Sequence, residues 1–107
     1  MDIETTGGSA SGGGITEIAV LIHNGVEITE EFQTLLNPGH SVPAYITGLT
    51  GIDNSMLEDA PIFEEIAEQL WDLLEGRVFV AHSVNFDYGF IREAFSKVGR
   101  QLNTPRI

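Results

Sequence analysis

Two carboxylates stand one residue apart at the amino end of this chain, in the run Met1–Gly7 (MDIETTG). In an extended strand, Asp2 and Glu4 point to one face and Ile3 points to the other. We expect Thr5 and Thr6 to end the strand with exposed hydroxyls. Two negative charges this close repel each other unless something positive lies between them. Hard divalent cations prefer carboxylate oxygen, so the run indicates a metal site if a further carboxylate joins it.

A third carboxylate, Asp87, follows a short apolar run. Residues 77–81 (RVFVA) are typical of a buried strand, and Asp87 then falls in the first turn of a helix. If that strand lies next to the Asp2 strand, three carboxylates converge. Such a cluster can hold two divalent ions about 3.5–4 Å apart, the arrangement used for in-line phosphoryl displacement. Taken alone, Asp87 is more typical of an acid stabilised by a helix dipole. Its combination with the DIETTG run favours the metal site instead.

The remaining pattern predicts an α/β domain. A strand over Ile15–His23, the hairpin signal Asn24-Gly25 and a second strand over Val26–Leu36 precede the helices. Three helices are predicted: a short one over Pro43–Leu49, one with apolar residues at helical spacing over Pro61–Glu75, and a last one that ends at Gly99. The apolar stripe of the last helix consists of Phe86, Phe90, Ala94, Phe95 and Val98. Asp53 is a predicted N-cap, and Gly7–Gly14 a flexible connector. The order β-β-β-α-β-α predicts a mixed sheet with helices packed on it.

Composition limits the function classes. The 107 residues suit one small domain, contain no cysteine and carry a net charge of −11. No long apolar run or signal peptide is present, so we expect no membrane association and a cytoplasmic protein. Residues 1–76 contain neither Lys nor Arg, which argues against a general polyanion binder. A metal-dependent nuclease remains, because bound cations would supply the local positive charge.

Three segments together resemble one family. The run DIETTG, the LTGI segment Leu49–Ile52 and the AHSVNFD segment Ala81–Asp87 resemble the DnaQ-like exonucleases, the DEDD superfamily that includes the proofreading epsilon subunit of DNA polymerase III. The resemblance, which favours the DEDDh branch, implies a ribonuclease-H-like fold. It also implies 3′→5′ exonuclease activity of proofreading or repair type with two Mg²⁺ or Mn²⁺ ions. The implied partners are a single-stranded DNA 3′ end or RNA, and a DNA polymerase or an attached nuclease domain.

The resemblance also assigns residues. It implies that Asp2, Glu4 and Asp87 are the catalytic metal ligands. The residues that it places at the substrate are Thr5, Thr6, Tyr45, Leu49, Thr50, His82 and Ser83. From its position alone, His82 at a strand end is either a base or a structural histidine.

The chain also departs from the family pattern. Ser83 stands where the family usually has Asn, and Thr50 where many members have His. The third motif, which supplies a general-base histidine or tyrosine and a fourth carboxylate, is absent, and no histidine follows His82. We therefore expect residues 1–107 to be a single, partial exonuclease domain, incomplete at its C-terminal side, with little or no activity alone.

Other functions fit parts of the pattern. A non-catalytic interaction module of a polymerase or nuclease assembly would explain the missing third motif and the negative charge, but not the three retained acids. An aspartyl-phosphate phosphatase needs a second Asp in place of Glu4 and usually a lysine, and the first lysine is Lys97. In a two-carboxylate glycosidase a sugar must fit between the acids, which Asp2 and Glu4 leave no room for.

Overall fold

The computed structural model describes residues 1–7 and 14–107, so most of the connector predicted over Gly7–Gly14 lies outside the described residues. Within these two ranges no helix has the length and apolar character needed to cross a membrane. Three strands come first and four helices follow: β1 Asp2–Thr5, β2 Ile15–His23, β3 Ile28–Leu35, α1 Ala44–Thr50, α2 Asn54–Leu57, α3 Phe63–Leu74 and α4 Val84–Lys97.

The three strands form one antiparallel sheet in the order β1-β2-β3. In β2 the side chains of Ile18, Val20 and Ile22 are buried against the helices, which is the alternation that predicted this strand. The hairpin to β3 turns at Gly25, whose φ of 95° is a conformation that glycine adopts readily. Asn24 Oδ1 accepts hydrogen bonds from the backbone N–H groups of Val26 and Glu27 and closes the turn.

The strand predicted over Arg77–Ala81 is not formed. Phe79 makes only an isolated parallel bridge with Arg106, and Val78 and Val80 are 54% and 53% exposed. On the β1 side the segment is held by one hydrogen bond, from the Met1 amine to Val80 O at 2.8 Å. In the sheet β1 pairs with β2 and makes no ladder of hydrogen bonds with residues 77–81. Without such a ladder, residues 77–81 do not form a strand of the sheet.

Two short helices, α1 and α2, follow β3 in the chain and precede α3. Pro43 is the N-cap of α1, so the helix begins one residue later than predicted. Asp53 caps α2 as predicted, with Oδ1 accepting from Met56 N at 3.0 Å. Beneath the two helices, Val42, Ile46, Ile52 and Leu57 form a small core of their own. This small core fixes α1 close to the end of β1.

Helices α3 and α4 cover the buried face of the sheet. Phe95 of α4 is fully buried, and its ring meets Phe63 and Trp71 of α3 edge-on at centroid distances of 5.0 and 5.2 Å. Edge-to-face aromatic pairs add stabilisation beyond their buried area. The contact fixes α4, and with it the carboxylate at the start of that helix.

The last residues pack against α4. The buried Tyr88 hydroxyl donates to Leu102 O at 3.2 Å and accepts from Thr104 N at 3.3 Å. The Arg106 guanidinium lies 4.3 Å from the centre of the Tyr88 ring, and Phe79 meets the same ring edge-on. Tyr88, one residue after Asp87, therefore links the first turn of α4 to both flanking extended segments.

Tyr88→Phe is expected to lower the free energy of unfolding by about 1–3 kcal/mol, because it leaves Thr104 N–H and Leu102 C=O buried without their partner. Urea unfolding followed by circular dichroism measures the change. Tyr45→Phe, which removes the hydroxyl of a tyrosine that is 66% exposed, is the matched control and should leave stability unchanged. Equal stability of both variants would contradict this account of the C-terminal segment.

Candidate active site

Asp2 and Asp87 line the same pocket, a cleft of about 420 Å³ between the start of β1 and the first turn of α4. Its other lining residues are Ile3, His82, Ser83 and Phe86. Asp2 is exposed, whereas only 6% of the Asp87 surface is reached by water. The structure therefore brings together two of the three carboxylates that the sequence analysis expected to converge.

The Asp87 carboxyl is held in an unfavourable electrostatic environment. Burial raises its pKa above the ordinary value, and the negative charge of Asp2 raises it further; Glu4 has a smaller effect in the same direction. The Met1 amine and His82 lower the pKa but do not outweigh these causes. Among the described residues, no hydrogen bond is made to the Asp87 carboxylate. The pocket thus holds a largely buried aspartate whose carboxylate has no hydrogen-bond partner in the described part of the chain.

Glu4 shares the face of Asp2 but does not line this pocket. Its pKa is raised by burial first, then by the charges of Asp2 and of Glu17, which lies directly opposite on β2. Like charges opposite each other across two strands are destabilising. The three carboxylates therefore repel one another electrostatically, although of the three only Asp2 and Asp87 line the cleft.

A divalent cation fits the chemistry of these donors. Carboxylate oxygens are hard ligands, and the mutual repulsion that raises the pKa of Glu4 and Asp87 is what a cation would relieve. Within residues 1–7 and 14–107, however, no three side chains from His, Asp and Glu are already arranged to hold a metal ion. The carboxylates therefore suit a divalent cation in atom type and in charge, but the described residues do not already surround a metal position.

Thr5 and Thr6 are buried, so the expectation that their hydroxyls are exposed is wrong. Thr5 Oγ1 accepts from Gly7 N at 3.1 Å, and Thr6 Oγ1 accepts from Gly14 N at 2.9 Å. Thr6 N also donates to Gly14 O at 2.8 Å. The Thr5 hydroxyl thus closes the turn after β1, and the Thr6 hydroxyl holds the end of β1 to the residue before β2, because small polar side chains readily satisfy the backbone at turns.

Of the α1 residues implied at the substrate, two are exposed. Tyr45 and Leu49, one helical turn apart, are 66% and 79% exposed. The Tyr45 hydroxyl lies beside Gly7, 3.2 Å from where a Cβ on that glycine would stand. Thr50 is used locally instead: its hydroxyl donates to Ile46 O and accepts from Ile52 N. An apolar, partly aromatic surface therefore borders the end of β1.

His82 and Ser83 both lie in the cleft and are exposed. Ser83 is the N-cap of α4, but its hydroxyl makes no capping hydrogen bond. Phe86 belongs to the apolar stripe predicted for the last helix, yet it is 45% exposed and lines the pocket. Its place directly before Asp87 is the signal that could have indicated this role.

Comparison with known proteins identifies relatives along nearly the whole chain. A family model described as exonuclease, of the RNase T type, matches residues 1–106. The 3′-5′ exonuclease DinG of Bacillus subtilis is 47% identical over 104 residues, which is 95% of this chain and 11% of that protein. A DNA polymerase III of PolC type from Caldanaerobacter subterraneus is 42% identical over 99 residues, 92% of this chain and 7% of that protein.

A solved structure shares the fold. Exonuclease X in complex with 5′ overhanging duplex DNA matches with a TM-score of 0.75 at 23% sequence identity, covering 99% of this chain and 55% of that one. The match confirms the expected ribonuclease-H-like α/β fold. The chain spans about a tenth of the length of the two curated relatives.

Asp87→Asn is expected to raise the melting temperature at pH 7 in the presence of a chelator. Because the folded pKa of Asp87 lies above its ordinary value, the folded state is penalised once the pH exceeds both values. The penalty fades as the pH falls through the folded pKa toward the ordinary one. The gain should therefore shrink on acidification, with each kcal/mol worth roughly 4–8 °C.

Thermal melts of both proteins between pH 3 and pH 7 measure this difference. Glu93→Gln on the same helix, whose carboxylate lies outside the cleft, is the control and should show no such gain. An Asp87→Asn protein that melts below the parent at pH 7 would contradict the account.

Proposed function

We propose, from the premise that this chain belongs to the RNase T exonuclease family, that its cleft binds divalent cations and hydrolyses a nucleic acid from its 3′ end. The ligands would be Asp2, Glu4 and Asp87, and the cations two Mg²⁺ or Mn²⁺ ions. The observation that carries the proposal is the convergence of Asp2 and Asp87 on one cleft, with like charges that the Met1 amine and His82 do not outweigh.

The roles of the residues follow from their positions. Asp2 and Asp87, from two different elements, would bind a cation between them, and Glu4 would approach it along the same strand face. When bound, such ions lower the pKa of an attacking water and neutralise charge on the phosphate and the leaving oxygen. Phe86 lines the cleft beside them, and an aromatic face is a surface on which a terminal base stacks.

The charge distribution supports a cation-dependent grip on the substrate. The chain has a net charge of −11, and residues 1–76 contain neither Lys nor Arg, so little of its surface attracts phosphate directly. A nucleic acid would be held where the cations reverse the local sign, with Tyr45 and Leu49 offering apolar contacts near the end of β1. Substrate affinity should therefore fall when the metal is removed.

The names of the relatives suggest the substrate and the setting. One is a 3′-5′ exonuclease, another a DNA polymerase III, and the fold match was solved with duplex DNA. We propose a single-stranded 3′ end of DNA, in proofreading or repair, as the substrate, in association with a polymerase or a further nuclease domain, in the cytoplasm. RNA is the alternative substrate, because no residue of the cleft is assigned to a 2′-hydroxyl.

The polypeptide of residues 1–107 alone is proposed to be impaired. It contains no histidine after His82, and the exposed His82 is the one imidazole in the cleft. Loss of a positioned general base typically lowers a rate by about 10²–10⁴-fold.

Mn²⁺ binding tests the metal site. Calorimetric titration should show binding to the 107-residue chain that weakens at least roughly tenfold in Asp87→Asn and in Asp2→Asn, since each removes a ligand. Asp59→Asn, a change at an exposed acid outside the cleft, is the matched control. Equal Mn²⁺ affinity in all four proteins would show that the cleft does not hold the metal.

Hydrolysis of a 3′-labelled, single-stranded DNA in Mn²⁺ tests the activity. Slow release of mononucleotides, abolished by Asp2→Ala and retained in Asp59→Asn, is the expected result. Rapid turnover would contradict the proposed impairment. Mn²⁺ binding without any detectable hydrolysis, in this chain and in a longer form of the protein, would favour a non-catalytic interaction module instead.

A further inference from the structure

A further acid, Glu17, lies next to the carboxylates of the candidate active site. Glu17 in β2 is directly opposite Glu4 in β1. Residues directly opposite each other in antiparallel strands have Cβ atoms about 4.5–5.5 Å apart and share one face of the sheet. Ile3 and Ile18, the next pair along, belong to the core under the helices. Glu17 therefore lies on the other face, with Glu4 and Asp2.

The electrostatic effects among these acids indicate their order. After burial, the charges that raise the pKa of Glu4 are first that of Asp2 and then that of Glu17. The pKa of Asp87 is raised by burial, then by Asp2 and less by Glu4. Together with the register of the ladder, these effects indicate a row of four carboxylates with Asp87 at one end and Glu17 at the other. Glu4 is the neighbour of Glu17 in this row.

A hydrogen bond orients the Glu17 carboxylate. Its Oε2 accepts from the side-chain amide of Gln33, Nε2, at 3.1 Å, and Gln33 lies on the adjacent strand β3. Within residues 1–7 and 14–107, this amide is the one group that donates to the carboxylate. The second oxygen, Oε1, is therefore able to accept a further hydrogen bond.

The fold gives no reason for a carboxylate at this position. Like charges directly opposite each other in a sheet are destabilising. A glutamine at position 17 would have the same length, could still bind the Gln33 amide and would not repel Glu4. Sequences that violate such a local rule commonly do so at functional sites. The place of Glu17 beside Glu4 therefore indicates a role at the cation site and not in folding.

We propose that Glu17 is a positioning residue of the cation site, an inference that rests on the proposed function. Mg²⁺ in proteins usually keeps several of its water molecules and binds directly to only one or two carboxylates. Such waters donate hydrogen bonds, and Glu17 beside Glu4 has an oxygen that can accept one. Glu17 would thus hold the hydrated cation at Glu4 without coordinating it. Groups that support a metal site in this way commonly change metal affinity by about 10–100-fold.

Glu17→Gln tests this role, because it removes the charge and keeps the length of the side chain. Calorimetric titration with Mn²⁺ should show an affinity roughly tenfold lower than that of the parent chain. Thermal melts in a chelator should show an equal or higher melting temperature, because the repulsion from Glu4 is gone. A purely structural residue would not combine lower metal affinity with retained stability.

Glu30→Gln is the matched control, because it removes one negative charge from the same sheet. Glu30 is exposed on β3 and lies opposite Ile22, whose side chain is buried under the helices. It is therefore on the face away from the cation site. The Mn²⁺ affinity of this variant should equal that of the parent, which separates the local effect of Glu17 from a change in net charge.

Gln33→Met tests the orienting hydrogen bond without changing the charge. Loss of this bond should lower the Mn²⁺ affinity by roughly twofold to fivefold. In a Glu17→Gln background the same change should have no further effect, because the two residues would act as one unit. An equal loss in both backgrounds would contradict the proposed orientation of Glu17 by Gln33.

Other results would overturn the inference. Unchanged Mn²⁺ affinity in Glu17→Gln, or a loss no larger than in Glu30→Gln, would show that Glu17 does not act at the cation site. A loss that comes with a lower melting temperature in the chelator would show that Glu17 acts on the fold. Retained binding in Glu17→Gln with lost binding in Asp2→Asn would refute this inference alone, whereas a parent chain that binds no Mn²⁺ would refute the proposed function as well.

Discussion

The largely buried Asp87 lines the same cleft as Asp2, and the fold has to withstand the repulsion between their two carboxylates. The start of a helix is a favourable place for a negative charge, because the unpaired N–H groups there carry partial positive charge. His82 and the Met1 amine act in the same direction. Burial and the charge of Asp2 nevertheless dominate, since the pKa of Asp87 is raised. The site is therefore a source of instability that a bound cation would relieve.

The fold withstands this cost because both elements are fixed at a distance from the cleft. β1 is held by β2 and by the Thr6–Gly14 hydrogen bonds at its far end. α4 is held by the buried Phe95 between Phe63 and Trp71, and by the Tyr88 hydroxyl one residue beyond Asp87. Burying one large apolar side chain stabilises the fold by about 1.5–3 kcal/mol, which exceeds the effect of a typical surface substitution on stability. Rigid packing behind the cleft thus allows two like charges to stay close.

The sequence predicted most of this architecture because its signals are local. Alternation defined β2, the Asn24-Gly25 turn defined the hairpin, and a period of 3.6 defined α3 to within two residues at each end. The prediction of a strand at residues 77–81 was wrong, because an apolar run does not indicate whether a neighbouring strand will pair with it. Thr5 and Thr6 were expected to be exposed for a similar reason: residue type indicates a hydroxyl, but not which backbone group it will satisfy.

The short β1 positions one of the two carboxylates of the cleft. Its carboxyl end is closed by buried threonines and by Tyr45 beside Gly7. Asp2 is the first residue of the ladder between β1 and β2, and it faces Asp87 of α4 across the cleft. A cation bound between Asp2 and Asp87 would join β1 to α4, so cation binding should stabilise the contact between these two elements, as binding to the folded state alone requires.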